Sequence, residues 1–131
     1  MSRQAFVNIA VQNIEKSRNF FERLGFEFDP AFSNAGCACM IISPSTYVMM
    51  LAEGFFQAFT TKDILDTGEL TEVVIALSAD SPEGVDAMLR AAVEAGGTLT
   101  REARDHGHMY GGAFEDLDNH QWEIFHMAGA S

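Results

Sequence analysis

The sequence predicts an α+β fold made of two β-α-β-β-β units, and three observations carry that prediction. A strand-then-helix pattern near the N-terminus recurs in the second half of the chain. Each helix is stopped by glycine, and after each come an extended segment and two strand-like runs joined by turn-forming residues.

In the first half, Phe6 to Val11 is a short apolar strand. Ile14, Phe20, Phe21 and Leu24 then fall on one helical face, and Gly25 ends the helix. The strand pair is Ala38 to Ile42 and Tyr47 to Ala52, with the turn Ser43-Pro44-Ser45-Thr46 between them. In the second half, Val73 to Ala79 is the strand and Ser81-Pro82-Glu83 the helix start. Val85, Met88, Leu89, Ala92 and Val93 form the apolar face before Gly96-Gly97. Tyr110 to Glu115 and Gln121 to Met127 close the unit around Asp116-Leu117-Asp118-Asn119.

A chain of 131 residues is expected to be one domain, 1–131, with modules at 5–52 and 72–128 and a linker at 53–71. The linker carries Phe55, Phe56 and Phe59, which read as one or two short helices. These aromatics either lid a pocket, cross to a partner subunit, or simply pack beneath the linker. A single helix cannot cover both faces of a four-stranded sheet. The two mixed sheets are therefore expected to form a curved, barrel-like cavity.

Composition narrows the partners. A net charge of −11 with no basic cluster disfavours nucleic acid and anionic membranes, leaving a small-molecule ligand, neutral or cationic by the overall field. The start, Met1-Ser2-Arg3-Gln4-Ala5, reads as neither signal peptide nor membrane span, so a cytoplasmic location is expected. Cys37 and Cys39 lie two apart on a strand and point to one face, an awkward arrangement for a disulfide. They read as reduced, small apolar side chains, with a redox or metal pair as the alternative.

The chemistry-bearing residues fall mostly in the second module. His106, His108, His120 and His126 are all there, with His106 and His108 beside Gly107. His108 and Tyr110 would share a face if the strand extended to them, giving a His/Tyr-lined mouth with His108 as general acid or base; the alternative is an exposed loop histidine. Alternation puts Gln121, Glu123 and Phe125 on one face. A carboxylate there, buried without a partner, would be a proton acceptor or a docking point for a cation. Otherwise Glu123 is structural and bonded to a donor such as Arg104 or Tyr110.

The doubled pattern, Asn13-Ile14-Glu15-Lys16-Ser17 leading to Phe20-Phe21-Glu22-Arg23-Leu24-Gly25-Phe26, and Asp116-Leu117-Asp118-Asn119-His120-Gln121-Trp122-Glu123 together resemble the vicinal-oxygen-chelate superfamily of glyoxalases, bleomycin-resistance proteins and extradiol dioxygenases. Tyr47-Val48-Met49-Met50-Leu51 and Asp105-His106-Gly107-His108-Met109-Tyr110-Gly111 are similar to a bacterial group labelled predicted lactoylglutathione lyases. In metal-dependent members each module gives two ligands, one early in its first strand and one in its last. The resemblance puts those positions at Phe6, Val74, Met50 and Glu123, so three of the four are apolar and only Glu123 can ligate a hard divalent ion. No metal site and no cofactor are predicted, except a divalent ion held in a non-standard way that includes Glu123.

Two functions remain open, beside a structural or regulatory role in which any pocket is incidental. One is a glyoxalase-like lyase or isomerase, with dioxygenase chemistry less favoured, in which Glu123 and His108 are the catalytic pair. The alternative is a metal-free, ligand-sequestering protein of the bleomycin-resistance kind. In either case Phe6, Met50, Val74, Tyr110, Arg104 and His106 are the expected ligand-contacting residues. Few basic residues are available to clamp glutathione, Arg90, Arg101 and Arg104 being the arginines of the second module. The resemblance also implies a homodimer.

Overall fold

The two long helices of the computed structural model, which describes residues 3–127, begin and end alike. Helix α1, Ile14–Arg23, is capped by Asn13, whose side chain accepts from the Lys16 amide at 2.9 Å. Helix α3, Pro82–Glu94, is capped by Ser81, which accepts from the Gly84 amide at 3.0 Å, with Pro82 in the first turn where its missing N–H costs nothing. Past their C-terminal ends stand Gly25 and Gly96, both in the left-handed region at φ +101° and +106°. A residue with a Cβ would be strained at either position.

These repeats build two compact units, residues 1–65 and 66–131. The first has strands β1 (Ala5–Val11), β2 (Glu27–Phe28), β3 (Cys37–Ser43) and β4 (Thr46–Ala52) in the order β1-β4-β3-β2. The second has β5 (Val74–Ser78), β6 (Thr98–Asp105), β7 (Tyr110–Glu115) and β8 (Gln121–His126) in the matching order β5-β8-β7-β6. In each, the outer β1 or β5 runs parallel to its neighbour and the remaining pairs are antiparallel. Such sheets are mixed, as the sequence predicts. The linker yields one short helix, α2 (Glu53–Gln57), whose Phe55 ring lies over Gly36 while Phe59 stays exposed. The expected end of the second module at residue 128 and the first two residues of the N-terminal reading lie outside the described residues.

One face of each sheet is sealed by its helix. In the first unit Ile9, Val11, Ala38, Met40, Val48 and Met50 are buried together with Phe20 and Phe21 of α1, whose rings meet edge to face at 4.9 Å. In the second, Phe114, Trp122 and Ile124 are buried with Val85, Leu89 and Ala92 of α3. Helix α3 lies so close to β7 that a Cβ on Gly112 would stand 2.6 Å from Leu89 Cδ1. Burying each large apolar side chain stabilises by roughly 1.5–3 kcal/mol. The other face of each sheet is not covered by its long helix, although in the first unit Cys39 and Leu51 are buried on that face.

Candidate functional site

Pairing registers decide which side chains stand on the open faces. In the first unit Phe6 is opposite Tyr47, Asn8 opposite Met49 and Cys39 opposite Met49 from the other side. The helix-side residues Val48 and Met50 alternate with these. Tyr47 and Phe6 stack at 4.8 Å and 12°. The open face of this unit is therefore apolar and sulfur-rich.

In the second unit the open face runs in rows. Thr98, Glu115, Gln121 and Val74 make one; Arg101, Ala113, Glu123 and Ala76 make the next; Arg104, Gly111, Phe125 and Ser78 make the third. Gln121 and Asn119 each donate an amide N–H to Glu115, at 2.6 and 2.9 Å. Arg101 Nη2 donates to Glu123 Oε2 at 2.5 Å, with the two side chains 40% and 25% exposed. Arg101 Nε is buried and has no acceptor among the described residues.

Measured against this geometry, the expected site separates into two groups. Glu123 and Arg104 are on the open face of the second unit, and Val74 stands there too, largely exposed; Phe6 is on the open face of the first. Met50 and Tyr110 are not. Met50 is fully buried on the helix side of β4, and the residue that matches Glu123 is Met49. The slip is one residue, and it comes from the hairpins: Ser43 pairs with Thr46 across a two-residue turn, whereas Glu115 pairs with Gln121 across five. Because side chains alternate, one residue of error reverses the face.

Tyr110 faces α3, where its hydroxyl donates to Asp86 at 2.6 Å. That bond, reinforced by partial burial and by the negative charges of Asp86 and Glu83, raises the phenol above its ordinary value. His106 and His108 lie in an exposed loop shaped by the left-handed Gly107 and by the His106 amide donating to Met109 O at 2.7 Å. His108 is not on a strand and shares no face with Tyr110. His126 Nδ1 meets Ala79 O at 3.0 Å on the helix side. The expected His/Tyr-lined mouth thus does not form within this unit.

The donor set for a divalent ion does not fit. In the first unit the matching positions are Phe6 and Met49, a phenyl ring and a soft thioether. In the second they are Val74 and Glu123, and the carboxylate is already engaged by a guanidinium. Among the described residues no three or more His, Cys, Asp or Glu gather to hold a metal.

Sequence reasoning missed two residues. Arg101 rather than Arg104 or Tyr110 is the partner of Glu123, because β6 carries two irregularities, between Leu99 and Arg101 and between Arg101 and Arg104. These put Arg101 and Arg104, three apart in sequence, on the same face. Asp116 is the other: buried in the β7–β8 turn, it accepts from the Asp118 and His120 amides at 2.9 and 3.0 Å and from Trp122 Nε1 at 2.9 Å. The spacing Asp-Leu-Asp-Asn-His-Gln-Trp was visible, but which acid turned inward was not.

Comparisons with known proteins agree with this topology. Residues 3–43 match the family model described as bleomycin resistance protein-like N-terminal. Hypothetical protein SA1046 from S. aureus is 28% identical, with a TM-score of 0.80 over 95% of this chain and 94% of its own. A glyoxalase/bleomycin resistance protein/dioxygenase family enzyme from Burkholderia phytofirmans PsJN is 16% identical and superposes at 0.80 over 96% and 99%. A glyoxalase-related enzyme from Fulvimarina pelagi is 21% identical, also at 0.80, over 96% and 88%. At these last two identities the likeness is one of fold. No curated protein matches the sequence significantly. With the N-terminal family match, the doubled β-α-β-β-β topology and structural likeness over nearly the whole chain, this protein has the fold of the glyoxalase and bleomycin-resistance proteins.

Proposed function

We propose that this protein binds a small organic ligand on the open sheet face of its second unit, with the Arg101–Glu123 pair as polar anchor, and that it does so without a catalytic divalent ion. The observation that carries this reading is the pairing itself. Glu123 is the single ligand-competent residue among the four positions marked by the family resemblance, and it is already bonded to Arg101. A lyase or isomerase would need that carboxylate free to ligate or to take a proton. A binding protein needs a shaped, mostly apolar surface with a few oriented polar groups, and Ala76, Ala113, Val74 and Phe125 around the pair supply one.

The same reading includes a homodimer, supported by the exposed apolar residues Phe6 and Val7 on edge strand β1 and Val74 on edge strand β5. A cytoplasmic location is supported by two free cysteines. No helix among the described residues is long and apolar enough to cross a membrane.

The test is a thermal-shift screen of small aromatic and heterocyclic compounds, run beside calorimetric titration of zinc, nickel, manganese and iron(II). We expect a compound that raises the melting temperature of the wild type and loses most of that effect in Glu123→Gln. We expect metal binding no tighter than about millimolar, worth about 4 kcal/mol. A stoichiometric metal lost in Glu123→Ala, together with glyoxalase turnover, would establish the lyase instead.

A further inference from the structure

Three sulfur-bearing residues of the first unit stand together. Cys37 and Cys39 alternate with the helix-side Ala38 and Met40, so both belong to the open face of β3. Met49 of β4 is paired directly with Cys39 and shares that face. Their exposure is graded. Cys39 is fully buried, whereas Cys37 and Met49 are half-buried and give solvent a way to the group.

Spacing decides what the two thiols can do. Residues two apart on a strand are about 6.7 Å apart. A disulfide needs Cβ atoms about 3.5–4.5 Å apart, so this pair cannot close one without distorting the strand. A single ion makes a longer bridge. With metal–sulfur bonds of about 2.3 Å it holds two sulfurs about 4–4.6 Å apart, a distance that thiols leaning toward each other from this spacing reach. Met49 supplies the third donor. It is opposite Cys39, where Cβ atoms stand about 4.5–5.5 Å apart, and diagonal to Cys37 at about 7–8 Å, within reach of its long side chain.

Little else engages these sulfurs. The Cys39 thiol has no hydrogen-bond partner among the described residues, and Cys37 makes one long bond to Phe32 O at 3.4 Å. Burial above all, and then the charges of Asp29 and Cys37, raise the Cys39 thiol. Two neighbouring thiolates repel, and a cation held between them removes that repulsion while taking the place of both protons. Two thiolates and a thioether are a soft donor set of the kind that selects Cu(I), whereas structural zinc takes four ligands and harder ions take oxygen.

We infer that Cys37, Cys39 and Met49 form a three-sulfur site for a soft monovalent cation, Cu(I), on the open face of the first unit. Binding exchanges two thiol protons for one Cu(I) and changes no oxidation state. The net charge of −11 favours approach of a cation. Both cysteines lie outside the four positions marked by the family resemblance, and the site is independent of the ligand reading for the second unit.

The experiment is a competition for Cu(I) between the reduced full-length protein and the coloured chelator bathocuproine disulfonate, under argon. The wild type should take one Cu(I) per chain, gain thiolate-to-copper absorption in the near ultraviolet and melt at a higher temperature. Cys37→Ser and Met49→Leu should each weaken Cu(I) at least about tenfold. Met50→Leu, on the helix side, should leave the affinity unchanged. Leucine is close to methionine in volume, so both methionine variants should melt with the wild type when free of metal. Met49→Leu is the decisive variant. An unfolded chain still offers two neighbouring cysteines, whereas only the paired strands bring Met49 beside them. A protein that takes no Cu(I) from the chelator, or an affinity untouched by Cys37→Ser or by Met49→Leu, overturns the site.

Discussion

The two units share a helix-packed face and differ on the open one. In the first, Phe6, Tyr47 and Met49 present rings and sulfur, while Cys39 on the same face is fully buried. In the second, the matching surface carries Glu115, Gln121, Arg101, Glu123 and Arg104. Strand order, helix caps and left-handed terminal glycines are alike in both. Repeating a module therefore preserves what folds it and frees what it displays. Core positions are held by packing that tolerates little change in volume, whereas a face without a helix can gain charges provided they are paired or solvated.

The largest effect that would test this comparison concerns Met49 and Met50. Met50→Ala empties a fully buried site on the helix side and should cost about 2–5 kcal/mol. Met49→Ala, on the half-buried open face, should cost less than about half of that. Urea denaturation of both variants decides it. Equal losses would mean that the two faces are not as distinct as their registers imply.

A smaller effect separates the two hairpin turns. The first turn has no buried acid, whereas burial raises the Asp116 carboxyl above its ordinary 3.8, an effect opposed by the nearby His120, the Trp122 hydrogen bond and two backbone amides. A carboxyl raised in the folded state holds its proton more tightly there than when unfolded. Its stabilisation is present below 3.8 and is lost as pH rises through the folded value. The stability difference between wild type and Asp116→Asn should accordingly shift against the wild type as pH climbs from 3.8 into that window. A difference that stays flat with pH would show that Asp116 does not titrate differently on folding.

The smallest effect lies within the first unit. Cys39 is fully buried, and burial, helped by the charges of Asp29 and Cys37, raises its thiol above the ordinary range. Cys37 is half-buried and donates to Phe32 O at 3.4 Å. Alkylation followed by mass spectrometry should modify Cys37 first, with Cys39 reacting only as the unit opens. Simultaneous loss of both thiols would indicate that this open face is less closely packed than described.

How much was legible beforehand depended on how local the signal was. Periodicity, caps and stop glycines lie within a few residues of each other, and they located both long helices and six of the strands to within about two residues, whereas β6, the longest strand, was expected only as an extended segment without bounds. The same locality found Glu123, and its alternation with Trp122 and Ile124 placed it on the face away from the core. Its partner was a different matter, because Arg101 is 22 residues away and reaches Glu123 through an irregular strand.

By itself, then, the sequence determined the doubled β-α-β-β-β architecture and the two buried helix faces. Each follows from side-chain chemistry at short spacing. Tertiary structure alone decided that Met49 rather than Met50 faces outward, that Tyr110 turns to Asp86, and that Arg101 and Arg104 stand together. These depend on hairpin length and on bulges in strand pairing, and in a structure of period two a single residue of register exchanges inside for outside.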